Sequence, residues 1–427
     1  MIEEQKFKYG KLFLIGFGFF GISVLWSLYN TYVPILLEKK FFLNSAQIGF
    51  FMSLDNIAAF FIQPSVGAWS DSVRTKFGRR IPFILIGAPI AAVAFGLVPL
   101  ASSLPLFVAC TVTTILAMVF WRTPVVALMP DVTPSKLRSQ ANGIINFMGG
   151  LGLVLGTSIG SILVKQNQAF PFWFGSFLVV MAAILVFIFV REPKVYEDNP
   201  NAEKPKLRKS LTELFTNKQA GAIRIFLAIF FWFIAYNAIE AFVSLYGINH
   251  LGLDQSGAGR LITSVGFSFL LFAIPSGFIA GKFGRKKTIG VGLLIMIFVF
   301  LSIYFIPKET LIQVHGTLPI LGNIMTLTVL LLMAGIGWAC ININSLPIVV
   351  DLTDSIHTGT YTGLYYFFAT LAAIAGPNIN GWIVKLTGNN YASIFIIGPI
   401  FMAAALVMIL GMRAGEATST QTVESQE

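Results

Sequence analysis

Twelve apolar segments, each long enough to cross a lipid bilayer, limit what this sequence can fold into. A chain of 427 residues that is 56% hydrophobic and only 11% charged has too few charged side chains for a water-soluble surface. In lipid, the backbone polar groups must be satisfied within each segment, so the segments are expected to be helices. We therefore predict an all-α membrane protein with twelve transmembrane helices, at about 12–37, 46–70, 81–102, 106–130, 139–165, 170–190, 222–249, 258–281, 286–307, 320–349, 359–387 and 391–413.

The placement of the basic residues explains the net charge of +10 without a nucleic-acid partner. With the N-terminus taken as cytoplasmic, 22 of the 29 Lys and Arg residues fall on the inner side, at the two termini and the inner connections, and six on the outer side, while Arg122 lies in the middle of a segment. Inner connections of membrane proteins are enriched in Lys and Arg. This bias predicts a multi-pass protein of the cell (plasma) membrane with both termini in the cytoplasm.

A polar stretch divides the twelve segments into two sets of six. We predict an N-terminal six-helix bundle at 1–190, a cytoplasmic linker at 191–221, a C-terminal six-helix bundle at 222–413 and a disordered cytoplasmic tail at 414–427. The two sets repeat, because Asp131 and Asp351, like Gly156 and Gly376, are separated by 220 residues. Parallel repeats of this kind imply two pseudo-symmetric halves, with a substrate site near the membrane midplane between them.

A basic loop between the second and third segments stands out from the other connections. From Ser70 to Phe83 it follows the pattern S-D-x-x-x-x-x-x-G-R-R-x-P-F, and Gly67 precedes it. Glycine lets two helices approach closely, and Asp71 can pair with an arginine or face a helix N-terminus. A thinner copy runs from Gly277 to Lys287 in the second half, where Gly281 stands in place of the acid. Any gating by charged groups is therefore expected to be unequal between the two halves.

This pair of loops resembles the signature of the major facilitator superfamily, and the resemblance extends from about Lys11 to Arg413. The longer first loop is similar to that of the sucrose–proton symporters in the glycoside–pentoside–hexuronide family. The resemblance implies the major facilitator fold, alternating access and sugar uptake driven by protons. It also implies a gating motif that comprises Gly67, Asp71, Gly78, Arg79, Arg80, Asp131, Arg138, Gly284, Arg285 and Asp351.

Three ionisable residues stand out inside the predicted helices, away from the ends, where a charge costs at least ~2.5–3.5 kcal/mol. These are Asp55, Arg122 and Glu240, and we assign them to proton coupling. Asp55 is followed by two turns of mainly apolar residues, and apolar surroundings favour the uncharged form of a carboxylate. Asp55 is therefore a candidate to take up the coupled proton; the alternative is that it serves only as the structural partner of Arg122. Arg122 lies four residues before Val126, the position at which the sucrose symporters carry an arginine.

Glu240 also belongs to an aromatic and polar stripe on the seventh helix. Trp232, Tyr236 and Glu240 follow one another at four-residue spacing, and Asn237 borders them. Aromatic rings offer flat apolar surfaces to the C–H faces of a sugar, while acids and amides bind its hydroxyls. The alternative is an aromatic belt at the membrane interface. The predicted substrate-binding residues, each of which alone could be a packing contact, are Trp26, Tyr29, Asn30, Asn142, Asn146, Trp232, Tyr236, Asn237, Glu240, Asn342 and Tyr365.

The sequence contains no nucleotide-binding loop, catalytic triad or metal-ligand spacing, so we expect no enzyme activity, no cofactor and no metal. The preferred interpretation is a monomeric sugar–proton symporter whose partners are a small sugar, protons and the bilayer. One alternative is a drug or metabolite exporter, which is expected to favour a more apolar cavity. A second is a non-transporting membrane sensor, which is expected to carry an extra soluble domain. Sodium could replace the proton as the coupled ion.

Overall fold

The computed structural model describes residues 10–133, 138–192, 220–352 and 358–412. Within these ranges, twelve helical spans are long and apolar enough to cross a membrane. The spans lie close to their predicted positions, because long apolar stretches in lipid need a backbone that satisfies its own hydrogen bonds. The predicted fold class, an all-α membrane protein with twelve transmembrane helices in two sets of six, is confirmed.

Among the described residues, the first half contains seven helices and the second half contains eight. Those of the first half are α1 (Gly10–Lys39), α2 (Ser45–Met52), α3 (Leu54–Ser72), α4 (Ile81–Leu97), α5 (Leu104–Val132), α6 (Arg138–Leu163) and α7 (Phe170–Phe189). Those of the second half are α8 (Ala220–Glu240), α9 (Val243–Asn249), α10 (Gln255–Phe283), α11 (Arg285–Phe305), α12 (Lys308–Leu311), α13 (Thr326–Val350), α14 (Thr358–Leu386) and α15 (Ile394–Leu410). Short 3-10 turns cover Val98–Leu100 and Tyr391–Ser393.

Two of the spans are built from two helices rather than one. In the second span, α2 and α3 meet at Ser53. In the seventh span, Ala241 and Phe242 separate α8 from α9. Neither interruption was predicted, because the sequence assigns one continuous segment across each site, at 46–70 and at 222–249.

A β-hairpin occupies the start of the predicted tenth span. Strand β1 (Val314–Leu318) pairs antiparallel with β2 (Gly322–Met325), and Gly322 has a φ of +70°, which glycine adopts at no steric cost. The spanning helix α13 consequently begins at Thr326 rather than at the predicted residue 320.

One contact unit of the chain comprises Met1–Phe42, Leu54–Glu197 and Leu253–Gly266. Within it, α1 packs against α5, α6 and α7, while α4 packs against α5 and α7. Glycine permits the closest approach, because a Cβ added at Gly152 of α6 would lie 2.5 Å from the backbone oxygen of Phe20 in α1. The first part of α10 belongs to this unit and is joined to α6 by a hydrogen bond of 2.8 Å from the Thr263 hydroxyl to that of Thr157.

The other contact unit comprises Leu43–Ser53, Asp198–Gly252 and Phe267–Glu427. Within it, α8 packs against α14 and α15, and α11 packs against α13 and α15. Helix α2 belongs to this unit because it packs on α14. The predicted linker 191–221 lies mostly, and the tail 414–427 wholly, outside the described residues, so the predicted domain bounds stay predictions.

Candidate functional site

Asp55 and Arg122 form a charged cluster within the first unit. Asp55 lies in the first turn of α3, is partly buried and accepts a hydrogen bond of 2.8 Å from Asn56 Nδ2. Arg122 of α5 is close enough for its positive charge to act on the Asp55 carboxylate. Tyr29 of α1 is fully buried and lies close enough to Asp55 to be influenced by its charge. Its ring contacts that of Trp26 edge-on, with ring centroids 5.3 Å apart. The fold thus gathers four of the predicted site residues.

Three amides of the first half complete the predicted set in this unit. Asn30 is partly buried on α1, whereas Asn142 and Asn146 are exposed on α6. Asn146 Nδ2 donates to the backbone oxygen of Asn142, at 2.8 Å. This bond stays within α6, and a contact of either side chain with a substrate stays a prediction.

Tyr236 and Trp338 stack face to face within the second unit. Their ring centroids are 3.8 Å apart and their planes differ by 5°. Trp338 of α13 is only 4% exposed and backs the partly exposed Tyr236 of α8. Glu240, one turn further along α8, acts on Tyr236 through its charge. The ring of Phe233 contacts that of Trp338 edge-on, with ring centroids 5.5 Å apart.

The other predicted sugar-binding residues of the second half lie around this aromatic pair or along the same helices. The Tyr365 hydroxyl is 2.8 Å from Ser345 Oγ, which joins α14 to α13. Asn237 Nδ2 donates to the backbone oxygen of Phe233 at 2.7 Å, and Asn342 is partly buried on α13. Trp232 is fully buried, so its ring is not open to a solute in this structure. Its part in sugar binding stays a prediction.

Two arginines of the first basic loop form one network with Asp71 of the same loop and Asp131 near the end of α5. Arg79 binds Asp131 through two hydrogen bonds, from Nε to Oδ2 at 3.1 Å and from Nη2 to Oδ1 at 2.6 Å. Arg80 Nε also donates to Asp131 Oδ2 at 2.9 Å, and Arg80 Nη2 donates to Asp71. Arg80 also donates to the Ser70 hydroxyl and is only 3% exposed. Its buried charge is therefore compensated by two carboxylates.

Glu192 completes this network, although no motif in the sequence marks it. Its Oε2 accepts from the backbone N–H of Arg79, and its Oε1 accepts from those of Arg80 and Ile81, each at 2.8 Å. These groups lie at the start of α4, where no residue inside the helix can accept from them. Gly78 has a φ of +112°, and a Cβ there would lie 2.4 Å from Glu192 Cδ. In the sequence Glu192 is one acid among several in a polar stretch, which gives no signal for this role.

The second basic loop carries a smaller set of contacts. Arg285 donates to the carboxylate of Asp351 and, at 3.2 Å, to the backbone oxygen of Pro347. The side chains of Arg285 and Asp351 are 38% and 46% exposed. Gly284 precedes α11 with a φ of +94°. Of the remaining gating residues, Gly67 lies near Thr123, and the side chain of Arg138 is outside the described part of the chain.

Comparison with curated proteins finds transporters of several kinds. Multidrug resistance protein 1 of Bacillus subtilis (strain 168) is 25% identical over 230 residues, which are 53% of this chain and 56% of that protein. Lactose permease of Leuconostoc lactis is 25% identical over 399 residues, or 84% of this chain and 58% of that protein. Sucrose transport protein SUT4 of Oryza sativa subsp. indica is 29% identical over 175 residues, or 36% of this chain and 28% of that protein. This chain thus spans little more than half the length of two of these relatives and less of the third.

Solved structures and the family comparison agree on the fold. The crystal structure of nucleoside transporter NupG superposes with a TM-score of 0.67 at 16% identity and covers 94% of this chain and 98% of that chain. The sequence model of the Major Facilitator Superfamily matches residues 15–377 and 248–426. The first of these matches alone includes most of the chain and the two basic loops. The chain belongs to the Major Facilitator Superfamily.

Proposed function

We propose that this protein is a secondary transporter that couples the uptake of a sugar or glycoside, of the sucrose or maltose type, to the entry of protons by alternating access. The observation that carries the proposal is a pair of intramembrane carboxylates in different surroundings. Asp55 lies beside the positive charge of Arg122, whereas Glu240 lies beside a stacked pair of aromatic rings. Carboxylates inside a membrane are costly and mark ion or substrate pathways.

The surroundings of Asp55 suit a proton acceptor. A nearby arginine stabilises the ionised carboxylate, while burial favours the protonated one, so a small movement of Arg122 changes which form is stable. Such a carboxylate takes up a proton in one conformation and releases it in another. We therefore assign the coupled proton to Asp55, with Arg122 as the group that makes its proton affinity depend on conformation.

The surroundings of Glu240 suit a sugar. Tyr236 is partly exposed and is backed by the buried Trp338, which makes a rigid flat surface for the C–H face of a sugar ring. The Glu240 carboxylate lies one turn away and can accept hydrogen bonds from sugar hydroxyls. The lactose permease and sucrose transport protein among the relatives support a sugar as substrate.

We further propose that the transporter lies in the cell membrane with both termini in the cytoplasm. Lys and Arg are concentrated in the connections that follow the even-numbered spans, and this bias supports the orientation. The basic loops would then lie on the cytoplasmic side, where their ion pairs stabilise one conformation of the carrier. Protection of the loop from Arg74 to Arg80 against a protease added outside intact cells, and cleavage after the membrane is made permeable, would support this placement.

Export of drugs or metabolites is the second candidate, because Multidrug resistance protein 1 matches 53% of the chain. An exporter would carry its substrate against the proton flow rather than with it. The direction of coupling therefore separates the two candidates, whichever sugar is carried.

The test is uptake of radiolabelled sucrose and maltose into proteoliposomes, with and without an imposed proton gradient. The unaltered protein should accumulate one of the sugars only with the gradient. Asp55→Asn should abolish this accumulation but keep exchange between equal sugar concentrations, because the amide mimics a permanently protonated acid. Glu240→Gln should impair binding and exchange together, and Glu309→Gln, at an exposed acid outside the spans, should change neither.

Three results would count against parts of this proposal. Uphill accumulation by Asp55→Asn would make Asp55 a structural partner of Arg122 and move the coupling site to Glu240. Accumulation driven by a sodium gradient would show that the coupled ion is sodium rather than the proton. Extrusion of a cationic dye with no sugar uptake would favour the exporter.

A further inference from the structure

Both intramembrane carboxylates lie next to a point where a membrane span is interrupted. Asp55 follows Ser53, at which α2 ends and α3 begins. Glu240 is the last residue of α8, and the turn of Ala241 and Phe242 comes directly after it. An interrupted helix in a membrane leaves backbone groups that need other partners, since lipid offers none. A side chain of another helix that forms a hydrogen bond at such a point can hold the residues beside it in place.

Asn380 of α14 supplies the partner at the interruption beside Glu240. The N–H of Phe242 bonds to the oxygen of Ile239, at 3.0 Å, rather than to that of Ala238 one residue earlier. Asn380 Nδ2 instead donates to the Ala238 oxygen at 2.8 Å, across 142 residues of sequence. Asn380 is fully buried, so water cannot readily replace this bond.

Close packing of backbones places Asn380 at that point. One turn earlier on α14, a Cβ added at Gly376 would lie 2.7 Å from the backbone oxygen of Ile234 and 2.9 Å from the backbone nitrogen of Ala238. Only a glycine allows α14 to approach α8 this closely. The approach brings the short Asn380 side chain within reach of the α8 backbone.

Asn378, on another face of α14, reaches the interruption before Asp55. Its Nδ2 donates to Ser53 Oγ at 3.0 Å, and the same Ser53 hydroxyl donates to the Phe50 oxygen at 2.7 Å. Glycines again allow the approach, because a Cβ at Gly49 would lie 2.3 Å from the Pro377 oxygen and one at Gly381 would lie 2.5 Å from the Ser45 oxygen. Two asparagines two residues apart on one helix point in directions roughly 200° apart, so α14 can hold a helix on each side.

We propose that Asn378 and Asn380 are positioning residues, which hold the two interrupted spans so that Asp55 and Glu240 lie where coupled transport needs them. Through two hydrogen bonds, α14 then holds the chain at Ser53 and at the Ala238 oxygen, each two residues before one of the carboxylates. The inference rests on the proposed function only for the roles of the carboxylates. The hydrogen bonds and their effect on the spans can be measured in the purified protein without any substrate.

The first measurement is amide hydrogen exchange in purified protein. Asn380→Ala should speed exchange in residues 239–246, and Asn378→Ala in residues 50–56, each by about fivefold, the equivalent of one hydrogen bond of about 1 kcal/mol. Asn380→Leu and Asn378→Leu fill the volume without a donor and should behave like the alanine variants. Asn344→Ala is the matched control, because this buried amide donates only within α13, to the Cys340 oxygen at 2.9 Å.

The second measurement separates positioning from simple support of the fold. A hydrophobic carbodiimide labels membrane carboxyl groups in their protonated form, and the labelled residue can be identified by mass spectrometry. Asn378→Ala should move the pH midpoint of labelling at Asp55 by about half a unit and leave Glu240 unchanged, because a pKa follows its local contacts. Asn380→Ala should move the midpoint at Glu240 and leave Asp55 unchanged.

The results decide the inference independently of transport. Exchange and labelling that match those of Asn344→Ala would overturn it. Faster exchange with unmoved labelling midpoints would also overturn it, since the amides would then serve the fold alone. If the unaltered protein transports no sugar while the two midpoints move as stated, the proposed substrate is wrong and the positioning role stands.

Discussion

Removal of the Glu192 carboxylate should destabilise the first unit measurably. Glu192 accepts three backbone N–H bonds of 2.8 Å at the start of α4 and remains partly exposed. Loss of a side-chain cap costs about 0.5–2 kcal/mol. Loss of a negative charge at a helix N-terminus adds about 0.3–1 kcal/mol. Water can reach part of the site, so the expected cost of Glu192→Ala is about 1–3 kcal/mol, rather than the larger sum of three charged hydrogen bonds.

Thermal unfolding of the purified protein in detergent tests this estimate. A unit of this size shifts its melting temperature by about 2–4 °C per kcal/mol, so Glu192→Ala should melt about 5 °C lower. Glu192→Gln keeps one acceptor oxygen and should lose about half as much. Glu309→Ala, at an exposed acid, is the control.

A second substitution shows whether the cap is the cause. A Cβ at Gly78 would collide with Glu192, so Gly78→Ala should displace the same carboxylate. The two changes act on one contact, and their effects in the double variant should therefore be less than additive. Equal melting temperatures of Glu192→Ala and Glu309→Ala, or full additivity of the pair, would refute the reasoning.

Two further predictions concern the second half. Trp338→Leu removes the ring behind Tyr236 and should weaken equilibrium sugar binding by about two- to tenfold, because an aromatic pair contributes about 0.5–1.5 kcal/mol. Trp173→Leu, at a ring that is 45% exposed, should not weaken it, and equal losses would mean that the rings serve only the fold. Burial and the charge of Lys308 lower the pKa of His250 from its ordinary value of 6.5. The unfolded chain therefore binds a proton at this residue before the folded one, and stability should fall as the pH drops below 6.5. Thermal unfolding between pH 7.5 and about 5 should show a smaller decline for His250→Gln, and an unchanged decline would contradict the assignment.

The twelve spans could be predicted from the sequence because the bilayer imposes a simple rule. Every span must be long, apolar and helical, and these properties are local. The proximity of Asp55 and Arg122 was foreseeable for the same reason, since a charge in lipid requires a partner.

The interruptions at Ser53 and at Ala241 and Phe242 could not be predicted in this way. The amide that bonds to Ser53 lies 325 residues away along the chain, and the one that bonds to the Ala238 oxygen lies 142 residues away. No local pattern of apolar residues records such a bond. The role of Glu192 could not be predicted for the same reason, because its partners lie 111 to 113 residues earlier.

The hairpin of β1 and β2 shows a different limit. Hydropathy alone assigns the residues of β2 to the tenth span, which is predicted to begin at residue 320, whereas the residues of β1 precede that span. The turn chemistry decides otherwise, because Gly322 adopts a positive φ and Leu318 pairs with it across the hairpin. A hydropathy pattern locates a span, whereas turn residues set its ends.

The ion pairs of the two basic loops differ in burial. At the first loop, the side chains of Arg79 and Asp131 are each 12% exposed, and the side chain of Arg80 is 4% exposed. Removal of one partner from an ion pair so buried destabilises the fold by about 3–5 kcal/mol. In the second loop, Arg285 and Asp351 are 38% and 46% exposed, and an exposed pair is worth at most about 1 kcal/mol. The ion pairs of the first loop are therefore the stronger ones, and removal of the Asp131 carboxylate should destabilise the protein more than removal of the Asp351 carboxylate.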